Sequence, residues 1–402
     1  MSSSRTLVSS STELPALARV FLSLLTRLKH GHVLLVTPSG DQQVFGDPHS
    51  QPGVRLTIND WRACAEILKA GDIGFAEAYR KKWVDTPDLS ALLKLALRNE
   101  DALTQTVHGS ALSRFWYSIL HKLRPNTRSG SRKNIHAHYD LGNDFYSLWL
   151  DDTWSYSSAL YHGNFDTPLE QAQANKYQHI LDTLQLKPGM KVLEIGCGWA
   201  GFALHAARQG IQVQSITISR AQAEKARERV CSEQLEHMID VQLCDYRDVN
   251  GQFDAVVSIE MFEAVGEKYW AGYFNTVRDR LKPGACAVIQ SITIAEDRFD
   301  AYKRSSDFIR QFIFPGGMLP TIPRFIGTAQ QQGLRARELV AFGPDYAETL
   351  RQWAYRFEQQ LPAVRALGFD ETFIRTWFLY LAYCEAGFDE GRTDVVQFLL
   401  ER

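Results

Sequence analysis

The chain has no run of about 18 apolar residues, so the sequence predicts no membrane-spanning helix. Its opening stretch, MSSSRTLVSSSTEL, lacks the compact apolar core and cleavage pattern of a secretory leader and is expected to be a disordered tail. Six cysteines are scattered along 402 residues, with no C-x-x-C pair and no Cys/His cluster at zinc spacing. No metal site is expected, and the thiols read as reduced ones in a cytoplasmic protein. Charge of either sign is not in excess: the formal net charge is −2, which excludes bulk affinity for nucleic acid. Internal repeats are absent. What remains is ordinary globular composition, 45% hydrophobic and 22% charged, long enough for two or three domains.

The most informative positive feature is VLEIGCGWAGFALHAA, residues 192–207. It reads as a strand, a glycine turn and a helix. Gly196, Gly198 and Gly201 fit G-x-G-x-x-G, which permits a tight turn, close backbone approach to a ligand and close helix–strand packing. A dinucleotide site also wants an acid about 20 residues on, for the ribose. Here Ser215-Ile216-Thr217-Ile218-Ser219 stands in that place. Glu194, two residues before the first glycine, would repel a pyrophosphate and suits an ammonium group. S-adenosylmethionine (SAM) carries an ammonium and no phosphate, and fits these residues better than NAD.

Around this turn the pattern is regular. Apolar strand segments alternate with helical segments from about residue 188: MKVLEIG, IQVQSITI, DVQLCD, FDAVVSIE and ACAVIQSITI are the predicted strands. That alternation predicts an α/β fold with a Rossmann-like, mostly parallel sheet and helices on both faces. Segment 296–333, with FIFPGGMLP, breaks the alternation and is expected to be a lid insertion over the ligand edge. The terminal VVQFLLER is expected to be a last strand. Residues 13–30, 59–70 and 88–98 read as helices, and 32–36 and 42–57 as strands, of a smaller N-terminal α+β domain. A domain boundary is expected in 109–134, giving an accessory domain 1–125 and a catalytic domain 126–402. Between Gly109 and Tyr139 there is no acid; Arg114, Lys122, Arg124, Arg128, Arg132 and Lys133 flank Phe115, Trp116 and Tyr117. That pattern suits an anionic membrane surface, and equally a solvated linker.

Eight segments, in order, resemble the cyclopropane fatty acid synthases and mycolic acid methyltransferases. They are HYDLGNDFYSLWLDDTWSYSSALY (138–161), VLEIGCGWAGF, ITISRAQAEKARER (216–229), DYRDV (245–249), SIEMFEAVG (258–266), FIFPGGMLP (312–320), FGPDYAETLRQW (342–353) and LAYCEAGF (381–388). The resemblance implies a class I SAM-dependent methyltransferase fold. It implies methyl transfer to the double bond of an unsaturated acyl chain in a membrane phospholipid, with cyclopropane formation as the leading outcome. Alternatives are a methyl-branched or methylated-alkene product without ring closure, and N-methylation of a small amine. It implies SAM contacts at Tyr156, Ser157, Gly196, Gly198, Thr217, Ser219, Gln222, Asp245 and Tyr246, beside Glu194. Peripheral membrane association is expected, and a homodimer is consistent with the family.

Methyl transfer from a sulfonium to an alkene leaves a carbocation. The site must exclude water, supply a base and offer aromatic faces. Tyr139, Phe145, Trp154, Tyr156, Phe262, Phe312, Phe314 and Tyr346 lie in or near the motifs, though core packing is the plainer role for any one of them. In the synthases the resemblance implies a bound bicarbonate as base. Its holders would correspond to Ser158 (in place of cysteine), Glu263, Gln290 (in place of histidine), the Ile292 backbone and Tyr346. A second histidine, usual after the glutamate, is Ala264. Ser and Gln can still donate to an anion. With the histidines gone, Glu263, alone or through an anion, is the expected base; its plainer role is a carboxylate at a helix start.

Overall fold

A computed structural model describes residues 14–104 and 141–402. The chain divides into two compact units, Met1–Ser113 and Arg114–Arg402. The readings made for the N-terminal tail, the basic aromatic cluster and Tyr139 lie outside the described residues.

The first unit is α+β. Its sheet has β1 (His32–Val36) between antiparallel β2 (Gln42–Gly46) and parallel β3 (Gly53–Ile58), and β3 pairs with β4 (Val84–Asp85). The predicted 42–57 stretch is therefore two strands. The helical span Arg62–Arg80 breaks after residue 70, where the predicted helix stops, and a second helix follows. The two abut at Gly71, whose φ of 59° and ψ of −127° only glycine adopts easily.

The second unit is built on a seven-stranded sheet: β5 (Lys191–Ile195), β6 (Gln212–Thr217), β7 (Ile239–Leu243), β8 (Phe253–Ile259), β9 (Leu281–Ile294), β10 (Arg335–Ala341) and β11 (Thr393–Glu401). The order is β10-β11-β9-β8-β5-β6-β7. From β7 through β9 every pairing is parallel. Such strands are covered on both faces, which is why their sequences are continuous apolar runs rather than alternations. Helices Leu169–Thr183, Gly201–Ala207 and Arg220–Ser232 supply one core, with Tyr177, Phe202 and Ala226. Helices Trp270–Arg280 and Ile322–Gln331 supply the other, around Phe262, Phe274, Phe325 and Phe398.

The terminal segment forms the last strand, as expected; β11 lies between β9 and β10, antiparallel to both. One detail differs from the expectation. The segment 296–333 is not one insertion. Residues 309–320 run beside the carboxyl edge, where the Met318 amide donates to the Glu263 carbonyl at 2.8 Å. Helix Ile322–Gln331 instead covers the sheet, with Phe325 stacked on Phe398 at 3.9 Å between ring centroids. Its apolar spacing is that of a core helix.

From β5 the chain winds outward to β6 and β7, then returns to β8 on the other side. This reversal opens a crevice at the carboxyl ends of β5 and β8, where open α/β sheets bind ligands. The glycine turn and the SIEMFEAVG segment are the two walls of that crevice. Phe262, in the second wall, has its ring in the core against Trp270, Tyr273, Phe274 and Phe325. It is fully buried, so it anchors the segment and is not a face offered to a carbocation. Phe262→Ala should lower unfolding free energy by about 3–5 kcal/mol, read from urea or guanidinium midpoints. A loss under about 1 kcal/mol would contradict this anchoring.

Candidate functional site

The glycine turn follows from its backbone. Gly196 has φ 87° and Gly198 φ 49°. A Cβ on Gly196 would lie 2.9 Å from the Met261 side chain, so the turn and the β8 wall meet here. A Cβ on Gly201 would lie 2.6 Å from the Tyr177 hydroxyl, which explains the third glycine as close helix packing.

Among the side chains that the resemblance attributes to SAM binding, Ser157, Thr217, Ser219, Gln222 and Asp245 are buried and Tyr156 and Tyr246 half-buried. Thr217 Oγ1 donates to Gln222 Oε1 at 2.9 Å and accepts from the Ser219 amide at 3.1 Å. Ser219 caps the helix Arg220–Ser232 by accepting from the Gln222 amide. Asp245 accepts from Arg247 through two nitrogens, at 2.8 and 2.6 Å, so its charge is already balanced; Tyr246 follows it. The Tyr156 hydroxyl pairs with that of Tyr380 at 2.8 Å, and Ser157 Oγ accepts from Lys176 Nζ at 2.6 Å. Glu194 is 3% exposed and accepts from Ser215 Oγ at 2.6 Å. With no other charge on it, burial pushes its carboxyl up to about 8.

The β8 wall carries a residue that sequence reasoning passed over. Glu260 follows the strand directly, with φ 50°. A non-glycine residue there is strained by about 1–3 kcal/mol, and such strain persists only where the surroundings hold it. Three donors do so. Glu260 Oε1 accepts from the Ser158 amide and Gln290 Nε2, each at 2.8 Å, and Oε2 accepts from the Tyr346 hydroxyl at 2.6 Å. Lys176, fully buried, also acts on it electrostatically. Gln290 is held in turn: its Oε1 accepts from Gln397 Nε2 at 3.0 Å, and Gln397 Oε1 meets His179 Nδ1 at 2.6 Å. Strand register places Gln290 opposite Gln397.

Glu263 lies one turn further on. Its Oε1 accepts from the Ile292 amide at 2.5 Å and Ser291 Oγ at 3.0 Å. Its Oε2 is buried with no hydrogen-bond partner among the described residues. Burial first, then the Glu260 charge, push its carboxyl up to about 8. Glu260 is raised by burial but pulled back by Tyr346, Lys176, Ser158 and Gln290. The pair is thus treated unequally: three donors and Lys176 oppose the rise at Glu260, while Glu263 keeps one oxygen without a donor among the described residues.

These contacts bear on the expected bicarbonate. Ser158, Gln290 and Tyr346 all donate to Glu260, and the Ile292 amide donates to Glu263. Ser158 Oγ is turned to the Ala159 carbonyl. The donors expected to hold a free anion are occupied by the protein's own carboxylates, and bicarbonate does not fit this arrangement. The signal for Glu260 was an acid closing an apolar strand at the ligand edge. Lys176 and Gln397 carried none, since only the tertiary fold brings them here.

Comparison with known proteins decides the family. The family model for mycolic acid cyclopropane synthetase matches residues 126–398. The chain belongs to this family. It is 39% identical over 391 residues to the tuberculostearic acid methyltransferase UfaA1 of Mycobacterium tuberculosis, covering 93% of this chain and 88% of that one. It is 36% identical over 337 residues to the cyclopropane-fatty-acyl-phospholipid synthase of Escherichia coli, covering 84% and 85%. The crystal structure of mycolic acid cyclopropane synthase CmaA1 complexed with SAH and CTAB superposes with a TM-score of 0.61 at 30% identity, covering 67% of this chain and 98% of that one. The protein is therefore an enzyme of class I methyltransferase fold that uses SAM, within a family of lipid methyltransferases and cyclopropane synthases.

The buried Glu194 makes stability depend on pH. Its folded pKa of about 8 exceeds the ordinary 4.5, so the folded state holds a proton that the unfolded chain releases between those values. Stability from this group is full below about 4.5 and falls as pH rises to about 8. Glu194→Gln, which removes the titration, should gain on the unliganded wild type as pH rises through that window, measured by urea midpoints. A stability difference that stays flat with pH would contradict it.

Proposed function

We propose that the enzyme transfers the methyl group of SAM to the double bond of an unsaturated fatty acyl chain of a membrane phospholipid, and that the product is an open-chain methylated alkene. The observation that carries the reading is the buried pair Glu260 and Glu263, beside the glycine turn on the β8 wall.

The π electrons attack the methyl carbon. The C–S bond breaks, its pair stays on sulfur, and the adjacent acyl carbon becomes cationic. A fixed negative charge at close range in a dry site stabilises that cation more than water would. A base then removes a proton, and the C–H pair forms either a new alkene or the third bond of a ring. In this proposal SAM is held by Tyr156, Ser157, Glu194, Gly196, Gly198, Thr217, Ser219, Gln222, Asp245 and Tyr246. The Glu194 carboxylate faces the ammonium, as its burial without a cation invites. Phe314, whose ring meets Tyr380 at 6.0 Å, and Tyr156 line the acyl path.

Two observations favour the open-chain product over the cyclopropane. The anion slot that the resemblance ties to ring closure is filled by a side chain. The relative matching 93% of this chain is named a methyltransferase of a fatty acid. N-methylation of a small amine has weaker support: coclaurine N-methyltransferase shares the fold at 16% identity. No helix among the described residues is long and apolar enough to cross a membrane. The proposal therefore has the enzyme meeting the bilayer from its surface, with a homodimer as its assembly.

Incubation with methyl-¹³C SAM and unsaturated phospholipid vesicles tests this. The expected product carries the label on an olefinic or allylic carbon by NMR and is consumed by mild hydrogenation. High-field ring protons resistant to hydrogenation would establish the cyclopropane instead. Bound SAM with unlabelled lipid would overturn the lipid reading.

A further inference from the structure

A left-handed backbone and four buried groups, Ser158, Gln290, Tyr346 and Lys176, converge on Glu260. All of its hydrogen bonds come from outside its own segment. They come from the Ser158 loop, from β9 through Gln290 and from the helix Gly343–Gln359 through Tyr346. The donors are buried, and Glu260 itself is half-buried. Held in this way, the carboxylate is a base fixed before substrate arrives.

We infer that Glu260 is the intrinsic anion of this site: its carboxylate, rather than a bound bicarbonate or Glu263, accepts the proton released after methyl transfer. This rests on the proposed acyl methylation. The step balances. A C–H bond next to the cationic carbon breaks, its electron pair forms the new carbon–carbon bond, and the proton passes to a Glu260 oxygen. The neutral carboxylic acid then returns the proton to solvent as product leaves. A tethered carboxylate needs no encounter with a dissolved anion and loses none of its freedom at each turnover, so bicarbonate has no vacancy to fill.

Glu263 is the poorer base. Its two donors both reach Oε1 and its Oε2 is buried with no partner among the described residues, so a charge on it is less well met than one on Glu260. Lys176 supplies the opposing charge that keeps Glu260 ionised, while donating to Ser157 Oγ and Gln173 Oε1 at 2.6 Å each. His179 and Gln397 are positioning residues. They orient the Gln290 amide so that its NH₂ faces Glu260.

The test uses full-length enzyme in buffer stripped of carbon dioxide, with SAM and unsaturated phospholipid vesicles. Wild-type turnover should be unchanged by added bicarbonate. Glu260→Gln, which keeps the shape and cannot take the proton, should lose about 100-fold or more in kcat while retaining SAM affinity. Glu260→Gly should lose as much and recover part of it with added bicarbonate or formate. A wild type that bicarbonate strongly stimulates, or a Glu260→Gln enzyme as active as wild type, would overturn the inference. A second readout needs no lipid. ¹³C-bicarbonate should show exchange broadening in NMR with Glu260→Gly and none with wild type. Broadening by wild type would overturn it. If no lipid is methylated at all, the proposed function fails, and this binding comparison still decides who occupies the slot.

Discussion

Burying two carboxylates side by side is the constraint on which the rest of the site depends. An isolated ionised carboxylate loses several kcal/mol on leaving water, and a like charge nearby adds to that. The chain resolves the conflict by unequal treatment. Glu260 receives three donors and the field of buried Lys176, and Glu263 receives two donors on one oxygen and none on the other. A charge-assisted hydrogen bond contributes about 1.5–3 kcal/mol, so even one roughly offsets the left-handed backbone at Glu260. Much of the surrounding structure serves this arrangement. The Gln290–Gln397 pairing explains polar residues at the centre of a buried sheet, and Phe262 fixes the segment between the two acids from beneath.

The same physics operates across the crevice. Glu194, at the end of β5, accepts one hydrogen bond from Ser215, and burial raises its carboxyl to about 8. In the proposed function, SAM supplies the countercharge on this wall, while the donors to Glu260 come from the protein itself. A methyl transfer that creates a cation on an acyl chain needs this asymmetry: the charge of the cofactor is met on one side and that of the reaction on the other.

Much of this was legible in the chain. Strand–helix alternation announced the parallel sheet, and the glycine spacing with Glu194 and without a ribose acid pointed to SAM. The motifs marked Ser158, Glu263, Gln290, Ile292 and Tyr346, which the fold does bring together. Their partners were not legible. Gln290 was read as a weakened histidine, and its role appears only when Gln397, 107 positions away, is placed opposite it. Glu260 stood inside a motif already quoted, but its direction is set by a positive φ that side-chain pattern does not encode. The helix Ile322–Gln331 falls within the segment expected to be a lid, because sequence alone does not separate a core helix from an insertion; the stacking of Phe325 on Phe398 does.

The central claim is that Glu260 is ionised while seated on Ser158, Gln290 and Tyr346. Infrared difference spectroscopy of the SAM-bound enzyme at neutral pH, wild type minus Glu260→Gln, measures this directly. A pair of carboxylate stretching bands assignable to Glu260 is expected, with no protonated carbonyl band lost with it. A protonated carboxyl band that disappears with Glu260→Gln would contradict it.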